Sequence, residues 1–210
     1  MSVITTPVVL PIDIDTVKGF LAPDEGEALY QFALEASKLG PCLEVGSYCG
    51  KSTVYFGAAC KTTNSTLYAL DHHRGSEEHQ LGEEYHDPEL YDAGIALMDS
   101  FHMFRQTMRR AKLEDTVVPL VTTSAIASRD WTIQLGMVFI DGGHSEEAAQ
   151  TDYRSWVGHI KPGGILAIHD IFPNPEEGGQ APYNIWKLAK ASGLFKELPT
   201  VNTLGLFRRK

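Results

Sequence analysis

Positive charge is what this chain has least of. Lys and Arg number 18 against 27 Asp and Glu, a formal net charge of −9. Phosphate backbones select a basic face, so this balance argues against a general affinity for DNA or RNA. No apolar run reaches the roughly 20 residues that a spanning helix needs, and no membrane partner is expected. Met1 to Pro11 has no basic residue ahead of its apolar positions, so it does not read as a signal peptide. Cysteine is scarce. Cys42, Cys49 and Cys60 are an odd number in or beside apolar segments and read as reduced thiols of a cytoplasmic protein; a reactive Cys49 is the functional alternative. Internal repeats and Gly/Ser-rich linkers are absent. The 210 residues, 43% of them hydrophobic, are therefore expected to form one domain with a sizeable core.

What is present is organised around Cys42 to Ser52, Cys-Leu-Glu-Val-Gly-Ser-Tyr-Cys-Gly-Lys-Ser. Leu43 to Val45 reads as the end of a buried strand, Gly46 and Gly50 as a tight turn, and Thr53 to Cys60 as an apolar helix. Strand, glycine turn and helix make the first unit of a nucleotide-binding α/β sheet. Glycine lets a ligand approach the backbone, and the helix start offers unpaired N–H groups. The third glycine of the dinucleotide fingerprint is missing. The spacing is also wrong for a P-loop, which needs four residues between its glycines where this chain has three. Glu44, ahead of the first glycine, suits a ligand carrying an ammonium group. The alternative is a turn whose glycines serve the backbone alone.

The rest of the chain alternates strands and helices. Pro23-Asp24 followed by Glu25 and Glu27 reads as a helix start, with Ala28, Leu29, Phe32, Ala33, Ala36 and Leu39 as its apolar stripe. Ser65 to Leu70 is the second strand and closes on Asp71, placed to accept the hydroxyls of a ribose. His72 to Leu90 holds four histidines and many acids without a period of either kind. We read it as a lid leaving from Asp71, against the alternative of a solvated acidic loop. Tyr91 to Lys112 reads as a helix with Ile95, Met98, Phe101, Phe104 and Met108 on one face. Val117 to Val121 is the third strand, and Ser124 is placed to cap the next helix. Met137 to Ile140 ends on Asp141-Gly-Gly-His144, and Ser145 caps a helix. Lys161-Pro-Gly-Gly is a turn ahead of Ile165 to Ile168, which ends on His169-Asp170. Tyr183 to Ala191 is helical. Phe195 to Leu198 and Thr203 to Phe207 form a closing strand pair.

Ligands of parallel sheets bind beyond the carboxyl ends of the strands. This chain puts Glu44 and Gly46, Asp71 and His72, Thr123 and Ser124, Asp141 and His144, and His169 and Asp170 there. Ionisable groups at four strand ends are costly as core residues, so a site is the better reading. Asp141, His169 and Asp170 make a metal constellation: carboxylates suit Mg²⁺ or Mn²⁺, and the histidine tilts the balance toward Mn²⁺ or a transition metal. His144 has the type and place of a general base; a solvent-facing cap is the alternative.

These residues carry a resemblance. Glu44-Val-Gly46 with Gly50, Asp71, Phe139-Ile-Asp141-Gly-Gly-His144 and Lys161-Pro-Gly-Gly-Ile-Leu-Ala-Ile-His169-Asp170 resemble the class I S-adenosylmethionine-dependent methyltransferases over about residues 40 to 172. The resemblance implies a doubly wound, Rossmann-like seven-stranded sheet, mostly parallel with a C-terminal antiparallel hairpin. It implies a cofactor site of Glu44, Gly46, Ser47, Gly50, Ser52, Asp71, Ser124 and Asp141, with the turn on the methionine moiety, Asp71 on the ribose and Ser124 at the adenine edge. The acids of the fourth and fifth strands look like the metal-dependent O-methyltransferases. That implies a divalent metal on Asp141, His169 and Asp170, His144 as base, and a small hydroxyl acceptor, a saccharide first. The catechol pattern has Asp-Asn where this chain has His169-Asp170, so His169 is either a ligand or a group behind one. A homodimer is compatible with the resemblance. Tyr85, Tyr91, Trp131, Phe172, Tyr183 and Trp186 are candidates for stacking on an acceptor, or else rim packing. The rivals are a catechol-type O-methyltransferase, a nicotinamide-dependent oxidoreductase, which would want Gly-x-Gly-x-x-Gly, and a non-enzymatic metal- or ligand-binding module.

Overall fold

The computed structural model of the chain describes residues 8–75 and 87–210. Its frame is a seven-stranded sheet in the order β5-β2-β1-β6-β7-β9-β8. The strands are β1 (Cys42–Val45), β2 (Leu67–Leu70), β5 (Val117–Leu120), β6 (Leu135–Ile140), β7 (Ile160–Ile168), β8 (Phe195–Glu197) and β9 (Gly205–Arg209). The first five run parallel, and β9 pairs antiparallel with both β7 and β8. The doubly wound sheet with its closing antiparallel hairpin is therefore present.

Period-two alternation sorts the core into two layers. On β6, Met137 and Phe139 pack with helices α1 (Pro23–Ala36), α2 (Lys51–Thr62) and α3 (Phe101–Arg110). Leu135, Val138 and Ile140 pack with α5 (Glu146–Trp156) and α6 (Ala181–Ala191). Central strands buried on both faces account for the continuous apolar run Leu-Gly-Met-Val-Phe-Ile. Registers Glu44↔Phe139 and Phe139↔Ala167 put those side chains on the α1–α2 face. Two residues further along, Asp141 and His169 emerge on that same face. Parity thus decides which strand-end groups meet.

Three expectations need correction. The helix expected from Tyr91 begins at Phe101; before it, β3 (Tyr91–Asp92) and β4 (Leu97–Met98) form a small antiparallel hairpin. The Asp92 side chain accepts from Gly94 N–H, a turn bond that competes with helix, and Ile95 is left exposed. Lys161-Pro-Gly-Gly is not a turn ahead of the fifth strand. It lies inside β7, where the register to β6 shifts between Leu135 and Met137, as a bulge does. Ser124 does not cap α4 (Ser124–Ala127); Thr123 holds the cap position. Ser145 caps α5 as expected, accepting from Ala148 N–H. Most of the lid reading falls on residues 76–86 and lies outside the described residues. Its two ends are fastened. Asp71 holds the N–H of buried His73, and Lys18 pairs with Asp87 at 2.5 Å and Glu89 at 2.6 Å.

Candidate active site

The first strand delivers a buried carboxyl and a tight turn to the same place. Gly46 has φ 87°, and a Cβ there would collide with the Asp141 carbonyl oxygen. No other residue type fits that approach of β1 to β6. Gly50, φ 93°, starts α2. Glu44 faces α2 and is fully buried. Its Oε2 accepts from Thr53 Oγ1 at 2.6 Å, whereas Oε1 has no hydrogen-bond partner. Burial, opposed in part by the Ser52 and Thr53 hydroxyls, pushes the Glu44 pKa up to about 8. Ser47 Oγ, in the turn itself, is also buried and unpartnered. Buried polar atoms without partners are uncommon, and two of them flank one turn. Ser52, in the first turn of α2, is buried beside them.

Asp71 ties the turn to the tip of β2. Its Oδ2 accepts from Ser47 N–H at 3.0 Å and Tyr48 N–H at 2.8 Å, and its Oδ1 from His73 N–H at 2.7 Å. A carboxylate offers about four acceptor positions, so one remains for a ligand. Sequence reasoning missed this structural duty. The His73 ring, whose pKa burial lowers, bonds Ser100 Oγ through Nδ1 at 2.8 Å and packs on Phe101 and Phe104.

The fourth and fifth strand ends bring the expected trio together. Ligand atoms of Asp141, His169 and Asp170 all lie within 4.8 Å of one another. His169 Nδ1 is 3.0 Å from Asp141 Oδ1 and 3.4 Å from Asp170 Oδ1. His169 Nε2 is 2.9 Å from Glu25 Oε2, on α1. Burial alone would lower the His169 pKa; Asp141, Asp170 and Glu25 together hold it far above the ordinary imidazole range. Burial likewise works to raise Asp170, and His144 and His169 outweigh it, keeping that carboxylate ionised. His144 Nε2 lies 3.0 Å from Asp170 Oδ2, with the ring partly open to solvent. Asp170 has φ 57°, and Tyr48 and His73 are also left-handed, at 46° and 59°. Asn64, Ala96, Lys112 and Asn202 are left-handed as well, so this conformation is not confined to the carboxyl edge.

Other candidates divide. Ser124 is buried at the end of β5, and its Oγ accepts from Trp156 Nε1 at 2.9 Å. Behind it is a group the sequence did not reveal: Asp152 on α5, whose pKa burial raises to about 6. A Cβ on Gly142 would come within 2.5 Å of its Oδ2. Trp131 packs edge-on against Tyr68 and Trp156, whereas Trp186 stacks on Tyr183 and lies tilted against Phe207. These are rim packing. Tyr85 lies outside the described residues. Phe20, largely exposed 6.1 Å from Tyr48, is an aromatic at the mouth of the turn that sequence reasoning passed over. Glu25 was also missed, although a signal existed. It stands four residues before Leu29, on the apolar stripe of α1, where a charge needs a partner.

This fold has relatives. Among solved structures, the chain is similar to the O-methyltransferase NovP, with a TM-score of 0.68 and 15% identity over 89% of this chain and 80% of that one. It is similar to an O-methyltransferase from Bacillus cereus in complex with SAH, TM-score 0.62 and 14% identity, covering 90% and 83% of the two chains. It also matches TomG from Streptomyces achromogenes, an O-methyltransferase involved in tomaymycin synthesis in complex with SAM, at TM-score 0.63 and 13% identity over 91% and 82%. At such identities the likeness is one of fold. The family model described as a methyltransferase domain matches residues 43–171, the glycine turn through the end of β7. That span is more than half of the chain, and the protein belongs to the methyltransferase domain family.

Proposed function

We propose that this protein transfers the methyl group of S-adenosylmethionine (SAM) to a hydroxyl of a small acceptor, a saccharide first, with His144 as base and a divalent metal on Asp141, His169 and Asp170. The observation that carries the reading is the His144–Asp170 contact of 3.0 Å, at the same sheet edge as the glycine turn. The residues fit the cofactor. The unpartnered Glu44 Oε1 suits its ammonium group, Gly46, Ser47, Gly50 and Ser52 border its methionine end, Asp71 has one acceptor position for its ribose, and Ser124 stands at the next strand end. They also fit the metal, which would displace the Nδ1 proton of His169 on binding: two carboxylates and the Nδ1 of an imidazole whose Nε2 is engaged by a carboxylate.

The sulfonium methyl is already activated, so the protein's work is alignment and deprotonation of the acceptor. A divalent ion on the two acids and His169 would acidify a hydroxyl near it. His144 takes the hydroxyl proton, and Asp170 beside its Nε2 stabilises the imidazolium that forms. Asp71 keeps the turn closed through Ser47 and Tyr48 N–H.

The test is methyl transfer from SAM against a panel of sugars and catechols, with and without EDTA. Turnover of a sugar that EDTA abolishes and Mg²⁺ or Mn²⁺ restores is the expected result. Full activity in chelated, metal-free enzyme overturns the metal assignment. Turnover confined to catechols overturns the saccharide assignment. Stabilisation by NAD and not by S-adenosylhomocysteine (SAH) overturns the whole reading.

A further inference from the structure

We infer that Glu25, a helix residue at the far side of the trio, is a positioning residue that sets the His169 ring for the cation, and that Thr203 in the closing hairpin locks Glu25 in place. The inference rests on the metal reading above and extends it to residues outside the strand ends.

Glu25 is 2% exposed. A lone buried carboxylate is costly, so its partners define its purpose. Oε2 accepts from His169 Nε2 at 2.9 Å and from Ala22 N–H at 3.1 Å. Oε1 accepts from Thr203 N–H at 2.9 Å and Thr203 Oγ1 at 2.6 Å. Four donors fill the four acceptor positions, so the carboxylate has no alternative pose. The imidazole it grips is equally constrained. With Nε2 on Glu25, the other nitrogen, Nδ1, is the one turned to Asp141 and Asp170. A ring flip would break the Glu25 and Asp141 contacts together. An acid that engages the outer nitrogen of a metal-binding histidine fixes both its tautomer and its orientation and raises its basicity.

A purely structural ion pair would have the same contacts, so the test must read the cation directly. Full-length protein, free of cofactor and acceptor, is titrated with Mn²⁺ alone, and free Mn²⁺ is followed by electron paramagnetic resonance. Glu25→Gln cannot accept all four donors, because its amide NH₂ replaces one oxygen. It is expected to weaken Mn²⁺ binding by about 10- to 100-fold while SAH binding is retained. Thr203→Val, which removes one donor and keeps the shape, is expected to give a smaller loss in the same direction. Long-range ¹H–¹⁵N spectra of the Mg²⁺-loaded wild type should show the His169 proton on Nε2, and the Glu25→Gln protein should lose that single state. Wild-type Mn²⁺ affinity in Glu25→Gln overturns the inference and leaves the metal site standing. If Glu25→Gln does not fold, Thr203→Val decides, and unchanged affinity there overturns it. Absence of Mn²⁺ binding by the wild type overturns both this inference and the metal site beneath it.

Discussion

Glu44 offers the most quantitative test. Its carboxyl is fully buried on β1, and burial raises its pKa from the ordinary 4.5 to about 8. Below pH 4.5 the folded and unfolded chains both hold the proton, and the group is neutral to stability. Above it the unfolded chain releases the proton and the folded chain retains it, so stability falls as pH rises, until the folded carboxyl ionises as well. Each pH unit in that window costs about 1.4 kcal/mol. At pH 7 the native state therefore bears about 3 kcal/mol. Glu44→Gln copies the shape of the protonated acid, keeps an acceptor for Thr53 Oγ1, and puts a donor where Oε1 has no partner. It cannot ionise, so that cost disappears. Urea unfolding of the two proteins should differ by under about 1 kcal/mol at pH 5 and by about 3 kcal/mol at pH 7. In a chain of this length the pH 7 gain corresponds to about 6–12 °C in Tm. The stabilised variant should bind SAH more weakly, because the ammonium group loses its carboxylate. That is the usual conflict between stability and a strained site. A stability difference that stays flat between pH 5 and pH 7.5 would refute the argument, since only a buried ionisable group produces the slope.

Other outcomes follow from the same site. Asp71→Ala should weaken SAH binding by about 1.5–3 kcal/mol with the fold intact, because it removes a ribose acceptor and frees the Ser47 and Tyr48 N–H groups; unchanged affinity by calorimetry rules out this role. His144→Ala should lower kcat by about 10²–10⁴ and leave SAH affinity near wild type. A variant within a few-fold of wild type on the true acceptor, or one that excess metal restores, would remove His144 as the base. EDTA should abolish turnover in the wild type, with Mg²⁺ or Mn²⁺ restoring it in a coupled SAH assay.

The strand ends were readable because each is an apolar run stopped by an ionisable group, a pattern that burial energetics leaves few ways to satisfy. Glu44, Asp71, Asp141, His169 and Asp170 all lie where their strands end. The hairpin at Tyr91–Met98 was not readable. Its apolar spacing matches a helix, whereas the Asp92–Gly94 turn bond, the left-handed Ala96 and the pairing of Tyr91 with Met98 belong to a hairpin. Lys161-Pro-Gly-Gly has the composition of a turn, yet pairing with β6 on one side of it and with β9 beyond it draws it into a strand. A charge on the apolar stripe of α1 marked Glu25 as needing a partner, but which partner was hidden: His169 is 144 residues away and Thr203 is 178, and local pattern carries nothing about contacts of that range. Asp152 likewise reads as one more helix acid until the absent side chain at Gly142 brings it to the sheet edge.

That long reach has a consequence for the order in which the molecule is built. Glu25 is synthesised 178 residues before Thr203, and its Oε1 is satisfied only when both are present. A nascent chain can form β1, α2 and the glycine turn early, since those contacts are short in sequence. It cannot close the Glu25 grip until the closing hairpin has been made, and such distant contacts are slow to form. On the proposed function, a cofactor pocket precedes a finished cation site during synthesis. A ribosome-stalled chain ending before Thr203 is expected to recognise SAH before it holds Mn²⁺.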